Sequence, residues 1–198
     1  MGAINVAVDA RKLDEITRML ADIKGGVPKA LVGAVNDTAR NTVTQISKAI
    51  RERVNIKKKD IDNKIRRTTA TPSRMHARIT LSETQRLGLK YFGAKKYDAK
   101  GKGAKKQIGG VSYQIDRRTG RKRAPGAFIG GQRLGGQVFK RLGKSRKGII
   151  KLQGISPWGA FVMSGMRKKT HAEATALLEK NLDRRVNFLI LKHSGAIK

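Results

Sequence analysis

The sequence predicts an α+β fold: an N-terminal helical hairpin with a long second helix, a central, mostly antiparallel β-sheet and a C-terminal amphipathic helix. Three observations carry this prediction. Apolar residues recur at three- and four-residue steps at both ends of the chain, and they alternate with polar residues in the middle. The 22 glycines, many in the middle and late parts, supply turns between short strands.

Helical spacing dominates the first third of the 198-residue chain. It predicts a first helix over residues 9–24, ended by Gly25 and Gly26. A second helix begins at Pro28, which suits the first turn, and extends to about Arg53. Its apolar stripe comprises Leu31, Val35, Thr38, Thr42, Ile46, Ala49 and Ile50.

The apolar period then changes from helix-like to strand-like. Residues 75–81 alternate apolar and polar side chains, as a half-buried strand does. Residues 116–121 have the composition of a hairpin turn between two strands. Further strands are predicted at residues 87–92, 110–115, 127–129, 137–142 and 149–152.

Composition predicts three segments along the chain that form one compact unit. Residues 1–65 form the helical hairpin and a short helix over about 58–65, and residues 66–157 form a basic, β-rich domain. A Gly/Lys-rich stretch, residues 97–107, is predicted to be a flexible loop. Residues 158–198 contain the last helix, which is expected to pack on the sheet.

Positive charge is the dominant compositional signal. The chain carries 45 Lys and Arg against 14 Asp and Glu, a net charge of +31. Residues 86–151 alone carry a net +18, with Asp98 and Asp116 as their only acids. Charge of this size repels itself and attracts polyanions, so a dedicated acidic partner is expected.

The candidate contact residues lie in basic pairs and triplets in and around this segment, and Trp158 is a candidate subunit-interface anchor. For Trp158 a core role is the alternative. The candidate polyanion- or partner-binding residues are Lys57, Lys58, Lys59, Lys95, Lys96, Lys105, Lys106, Arg117, Arg118, Arg121, Lys122, Arg123, Lys140, Arg141, Arg146 and Lys147.

Signals of catalysis are missing from the sequence. There is no cysteine, and the three histidines lie in separate segments without metal-ligand spacing. Residues 136–145 resemble a phosphate-binding loop. However, six residues separate the first glycine from the Gly-Lys-Ser, where such a loop has four. No apolar run approaches the length of a membrane span. We therefore expect no enzyme activity, no cofactor, no metal site and no membrane partner.

Several short motifs follow one another in an order typical of a known family. They are residues 34–40, 54–61, 77–79, 87–94, 124–129 (APGAFI), 138–141 and 150–157. In their order and spacing the chain resembles the minor tail protein Z family of tailed bacteriophages and prophages, also described as tail completion proteins. The likeness covers about residues 27–192.

The resemblance implies a virion protein, assembled in the host cytoplasm, that completes the tail at its head-proximal end or joins it to the head. It also implies a cyclic homo-oligomer, expected to be a hexamer, with other tail or connector proteins as partners. Genomic DNA, bound without sequence specificity, is a further candidate partner of the basic surface. The alternative hypothesis is a sequence-neutral nucleic-acid-binding protein such as a ribosomal protein, which the pI of about 11.3 would suit.

Overall fold

The structure, a computed structural model, describes residues 2–6, 10–98, 108–143 and 148–196, with residues 2–6 and 10 described as backbone only. Helices and antiparallel sheets occur together, which confirms the predicted α+β class. The helices are α1 (Ala10–Met19), α2 (Gly26–Arg53), α3 (Lys58–Asp62), α4 (Pro157–Met163) and α5 (Arg167–His193). The strands are β1 (Gly2–Val6), β2 (Ile65–Thr68), β3 (Ala77–Leu81), β4 (Lys95–Tyr97), β5 (Gly110–Tyr113), β6 (Lys122–Pro125), β7 (Ala127–Ile129), β8 (Val138–Arg141) and β9 (Ile149–Lys151).

The long helix α2 follows its predicted pattern closely. Gly25, with a φ of +67°, occupies the left-handed region between α1 and α2, where a residue without Cβ is not strained. The predicted apolar stripe of α2 is buried along its whole length, from Leu31 to Ile50. The predicted C-terminal helix is also confirmed, with Leu178 and Leu182 buried on one face of α5.

Within the described residues, the strands form three three-stranded antiparallel sheets, where the sequence predicted one central sheet. Their strand orders are β1-β3-β2, β4-β5-β6 and β7-β8-β9. The predicted strand at residues 127–129 is present, and the predicted turn at residues 116–121 connects β5 to β6 in an antiparallel hairpin. Strands β4 and β6 were not predicted because their cations give no alternation of apolar and polar residues.

The strand predicted at residues 87–92 is wrong. Leu89–Phe92 instead forms a 3₁₀ helix, with Leu89 and Phe92 both buried. Residues three apart lie on the same side of a 3₁₀ helix, so this apolar spacing buries both side chains without a strand. Gly93, with a φ of +62°, occupies the left-handed region at the end of this turn.

The chain divides into two compact units, and each is assembled from separated stretches. Unit 1 comprises Met1–Ile46, Ile65–Leu81 and Met166–Lys198. Unit 2 comprises Ser47–Lys64 and Ser82–Gly165. The three segments predicted from composition follow the order of the chain, and this division stays a prediction.

Polar contacts inside unit 1 hold its helices and sheet together. Asn181 on α5 is buried and donates a hydrogen bond of 2.9 Å to the Thr38 hydroxyl of α2. The Asp37 carboxylate accepts two hydrogen bonds from the guanidinium of Arg185, at 3.0 and 2.6 Å. The Asn36 side chain pairs with both the N–H and the C=O of Ala70. These contacts join α2 to α5 and to Ala70, while the buried side-chain oxygens of Thr42 and Gln45 on α2 have no hydrogen-bond partner among the described residues.

Gly110 marks a close approach of two strands in unit 2. It lies opposite Pro125, and a Cβ at Gly110 would overlap the carbonyl oxygen of Ala124. We expect Gly110→Ala to lower the free energy of unfolding by about 1–3 kcal/mol, because a strand backbone must move. Gly131→Ala is the matched control, since nothing lies within 4 Å of its added Cβ. Urea denaturation measures both, and equal stability of the two variants would contradict the packing described.

Candidate functional site

The predicted contact cations that the structure describes all lie in unit 2, and all are exposed. They are Lys57, Lys58 and Lys59 at the start of α3, Lys95 and Lys96 in β4, Arg117, Arg118, Arg121, Lys122 and Arg123 between β5 and β6 or in β6, and Lys140 and Arg141 in β8. Lys105, Lys106, Arg146 and Lys147, with most of the predicted loop 97–107, lie outside the described residues.

An open cleft at the end of α2 brings cations from four parts of unit 2 together. Its volume is about 1110 Å³, and its walls are the last turns of α2, the start of α3, the 3₁₀ helix and the β5–β6 turn. Among the described residues that line it, Glu52 and Asp60 carry the acidic side chains. The positively charged residues that line it, here called the cleft cations, are Lys48, Arg51, Lys57, Lys58, Lys90 and Arg117.

Half of the cleft cations were missed by the sequence analysis. Lys57, Lys58 and Arg117 belong to predicted clusters, whereas Lys48, Arg51 and Lys90 stand alone among uncharged or acidic neighbours. One signal could have found two of them. Lys48 and Arg51 are three residues apart near the end of a helix, so they share a face close to the Lys57 triplet.

The Asp116 carboxylate fixes the arginine-rich turn to the end of α2. It is buried, and it pairs with the Arg53 guanidinium at 2.8 Å. Its other oxygen accepts a hydrogen bond of 2.9 Å from the Arg118 backbone N–H. Backbone bonds reinforce the junction, because the Arg117 N–H donates to the Arg53 carbonyl at 2.8 Å. Arg117 is thereby positioned in the wall of the cleft.

Several cations are also held by the protein's own backbone. Arg121 is exposed, yet its guanidinium donates to the carbonyl of Gly93 at 2.6 Å and to that of Ser112 at 2.9 Å. The Lys90 ammonium donates to the Gly135 carbonyl at 2.9 Å. Arg121 therefore ties the β5–β6 hairpin to the end of the 3₁₀ helix, a structural role that the sequence did not predict.

The sheet β4-β5-β6 presents a second cationic surface. Lys95, Ser112 and Arg123 lie opposite one another in register and share one face. The Arg123 guanidinium lies 5.4 Å from the centre of the Tyr97 ring, an arrangement that keeps a cation over an aromatic face. Lys140 and Arg141 belong to the other sheet of unit 2, so the structure does not place all predicted cations on one sheet.

Trp158 lies in the first turn of α4 and is half-buried. Ser156 begins this helix, its hydroxyl accepting a hydrogen bond from the Gly159 N–H at 3.1 Å. The centre of the Trp158 ring lies 5.8 Å from that of Phe161, which is fully buried. One side of the indole thus packs on the core of unit 2, and its role as an interface anchor stays a prediction.

Within the part of the chain that the structure describes, no three His, Cys, Asp or Glu side chains come together in a way that could hold a metal ion. Among the same residues, no helix combines the length and the apolar character needed to cross a membrane.

Comparison with known families decides the class of protein. A family model described as prophage minor tail protein Z (GPZ) matches residues 11–192. The chain belongs to the prophage minor tail protein Z family. It is a phage tail structural protein, located in the virion tail, with other tail proteins as its partners. Neither the curated proteins nor the solved structures contain a match to the chain.

Family membership also helps to choose between the two functional hypotheses drawn from the sequence. The matched residues include all segments that line the cleft and nearly all of the described helices and strands. This match favours the tail hypothesis over the ribosomal-type alternative, which depended on charge alone.

The Asp116–Arg53 pair gives a test of the site's framework. We expect Asp116→Asn to lower the free energy of unfolding by about 1–3 kcal/mol, because Arg53 loses its charged partner in a partly buried place. Asp98→Asn removes the same charge from an exposed carboxylate, 3.6 Å from Lys96, and should cost less than about 0.5 kcal/mol. Thermal denaturation measures both. Equal losses would mean that Asp116 does not organise the turn.

Proposed function

We propose that this minor tail protein completes the tail at its head-proximal end and takes part in joining the tail to the head. Three features support the proposal: membership of the family, a folded α+β body, and a strongly cationic unit 2. A tail terminus abuts other protein rings and the DNA that passes through them. A subunit placed there meets large acidic neighbours, as a net charge of +31 requires.

The observation that carries the proposal is the arrangement of positively charged side chains on the folded surface of unit 2. The cleft cations converge from separate segments, and the β4-β5-β6 sheet adds Lys95 and Arg123 on one face. Cations on a folded surface lose less conformational freedom on binding than cations on a flexible tail. We propose that this surface contacts acidic neighbouring rings or, without sequence specificity, the genomic DNA.

We further propose that the protein acts as a homo-oligomeric ring, with six subunits to match a six-fold tail, and that the ring is assembled in the host cytoplasm. Self-repulsion of +31 per subunit opposes a ring in isolation. High salt screens this repulsion, since the Debye length falls to about 3 Å at 1 M. Ring formation should therefore be easier to observe in concentrated salt.

Location in the virion is the first measurement. We expect immunogold labelling of purified particles to place an epitope-tagged, functional copy at the head-proximal end of the tail. Particles made without the protein should accumulate as separate heads and tails. Label at the distal tip, or normal joining in its absence, would overturn the proposal.

Oligomeric state is the second measurement. We expect size-exclusion chromatography with light scattering at about 1 M salt to yield a species of six times the 21.8 kDa chain mass. The same protein at low salt should shift toward smaller species, because charge repulsion is then unscreened. A monomer at every salt and protein concentration would contradict the ring.

A further inference from the structure

The lining of the cleft combines positively charged, acidic, polar and apolar side chains. Beside the six cleft cations, it contains the carboxylates of Glu52 and Asp60 and the amide of Asn55. Ile56, Tyr91 and Ala94 add apolar surface to the walls. A concave site of about 1110 Å³ with convergent charges and apolar walls is built to enclose side chains.

We propose that the cleft binds an acidic polypeptide segment of another tail or connector protein, whose carboxylates pair with the cleft cations. This inference rests on the proposed function and deepens it, because it names the chemistry of the partner at one surface. Arginine and lysine next to carboxylates form the strongest class of protein hydrogen bonds.

Both arginines among the cleft cations are oriented before any partner arrives. The Arg51 Nε donates to the Ser47 carbonyl at 3.2 Å, and the Arg117 Nε donates to the Val54 carbonyl at 3.4 Å. In each guanidinium the Nε atom is thus held by the backbone. The two terminal nitrogens can then donate a pair of hydrogen bonds to one carboxylate. Such preorganisation lowers the entropy lost on binding.

The acids of the cleft favour a peptide over nucleic acid. Glu52 and Asp60 would repel the regularly spaced phosphates of a DNA strand. A polypeptide can place backbone N–H groups or hydroxyls against these acids while its carboxylates reach the cations. Duplex DNA also presents its phosphates on a convex surface, whereas the cleft is concave. The exposed face of β4-β5-β6 is the more suitable surface for phosphates.

The occupant is not a second copy of this chain. The chain has only 14 acids, and Asp14-Glu15 is their only adjacent pair. Those two residues lie in α1, where Glu15 already pairs with Lys12 at 3.0 Å. The next closest carboxylates, Asp60 and Asp62, both lie in α3, where Asp60 lines the cleft itself and Asp62 pairs with Lys58 at 3.4 Å. The acidic segment must therefore come from a different protein.

Binding of a model peptide by the full-length chain tests the inference. The probe is a fluorescein-labelled peptide of alternating Glu and Ser, and a peptide with Gln in place of Glu is its control. The cleft variant is Lys48→Gln/Lys57→Gln/Lys58→Gln, and the matched variant is Lys95→Gln/Lys122→Gln/Lys140→Gln. Both remove three positive charges from exposed positions of unit 2, so neither should unfold it.

We expect fluorescence anisotropy to show that the cleft variant loses at least about tenfold in affinity for the acidic peptide, and the matched variant less than about threefold. Affinity for a short DNA duplex should fall at least as much in the matched variant as in the cleft variant, because Lys95 lies on the sheet face that suits phosphates. Equal loss of peptide affinity, or no preference for Glu over Gln, would overturn the inference. Selective loss of DNA binding by the cleft variant would also overturn it and assign the cleft to phosphates.

A measurement on the unaltered chain tests the same inference without depending on whether the variants fold. Carbodiimide joins the peptide's carboxylates to lysines that they contact, and mass spectrometry locates the products. We expect cross-links on Lys48, Lys57, Lys58 or Lys90, whereas cross-links confined to Lys95, Lys122 and Lys140 would refute the cleft. Failure here leaves the virion location untouched, since immunogold labelling tests that proposal independently.

Discussion

The buried carboxylate of Asp116 is the constraint on which the basic surface of unit 2 depends. It is one of only two acids among residues 86–151, a segment with a net charge of +18. By pairing with Arg53 and the Arg118 backbone N–H, it joins the β5–β6 turn to the end of α2. One side of the cleft exists because this junction holds Arg117 next to the last turns of α2.

Besides its few carboxylate pairs, such as Lys58 with Asp62, unit 2 anchors cations on backbone carbonyls and aromatic rings. Arg121 donates to Gly93 and Ser112, and Lys90 donates to Gly135. Such contacts orient a side chain but leave its charge uncompensated, so the electrostatic field of the surface persists. The same fixed cations can therefore stabilise the fold and attract an acidic neighbour, which explains how a tail protein keeps this charge in a folded body.

Features that depend on the local spacing of residues could be predicted from the sequence. Features that depend on the fold bringing distant residues together were missed. The strand at residues 127–129 follows from an apolar run bounded by glycines, whereas the 3₁₀ helix at Leu89–Phe92 has a spacing that also suits a short strand. In the cleft, Lys57 was predicted because it lies in a triplet. Lys48 and Lys90 are isolated in sequence and meet the triplet only through the fold.

The central claim is that the cations fixed around the cleft are neutralised by an acidic protein neighbour in the assembled particle. A cryo-electron microscopy map of the intact head–tail junction tests it most directly. The account predicts carboxylates of another chain within hydrogen-bond distance of Lys48, Arg51 and Arg117. A map in which the cleft opens to solvent, or in which DNA fills it, would contradict the account.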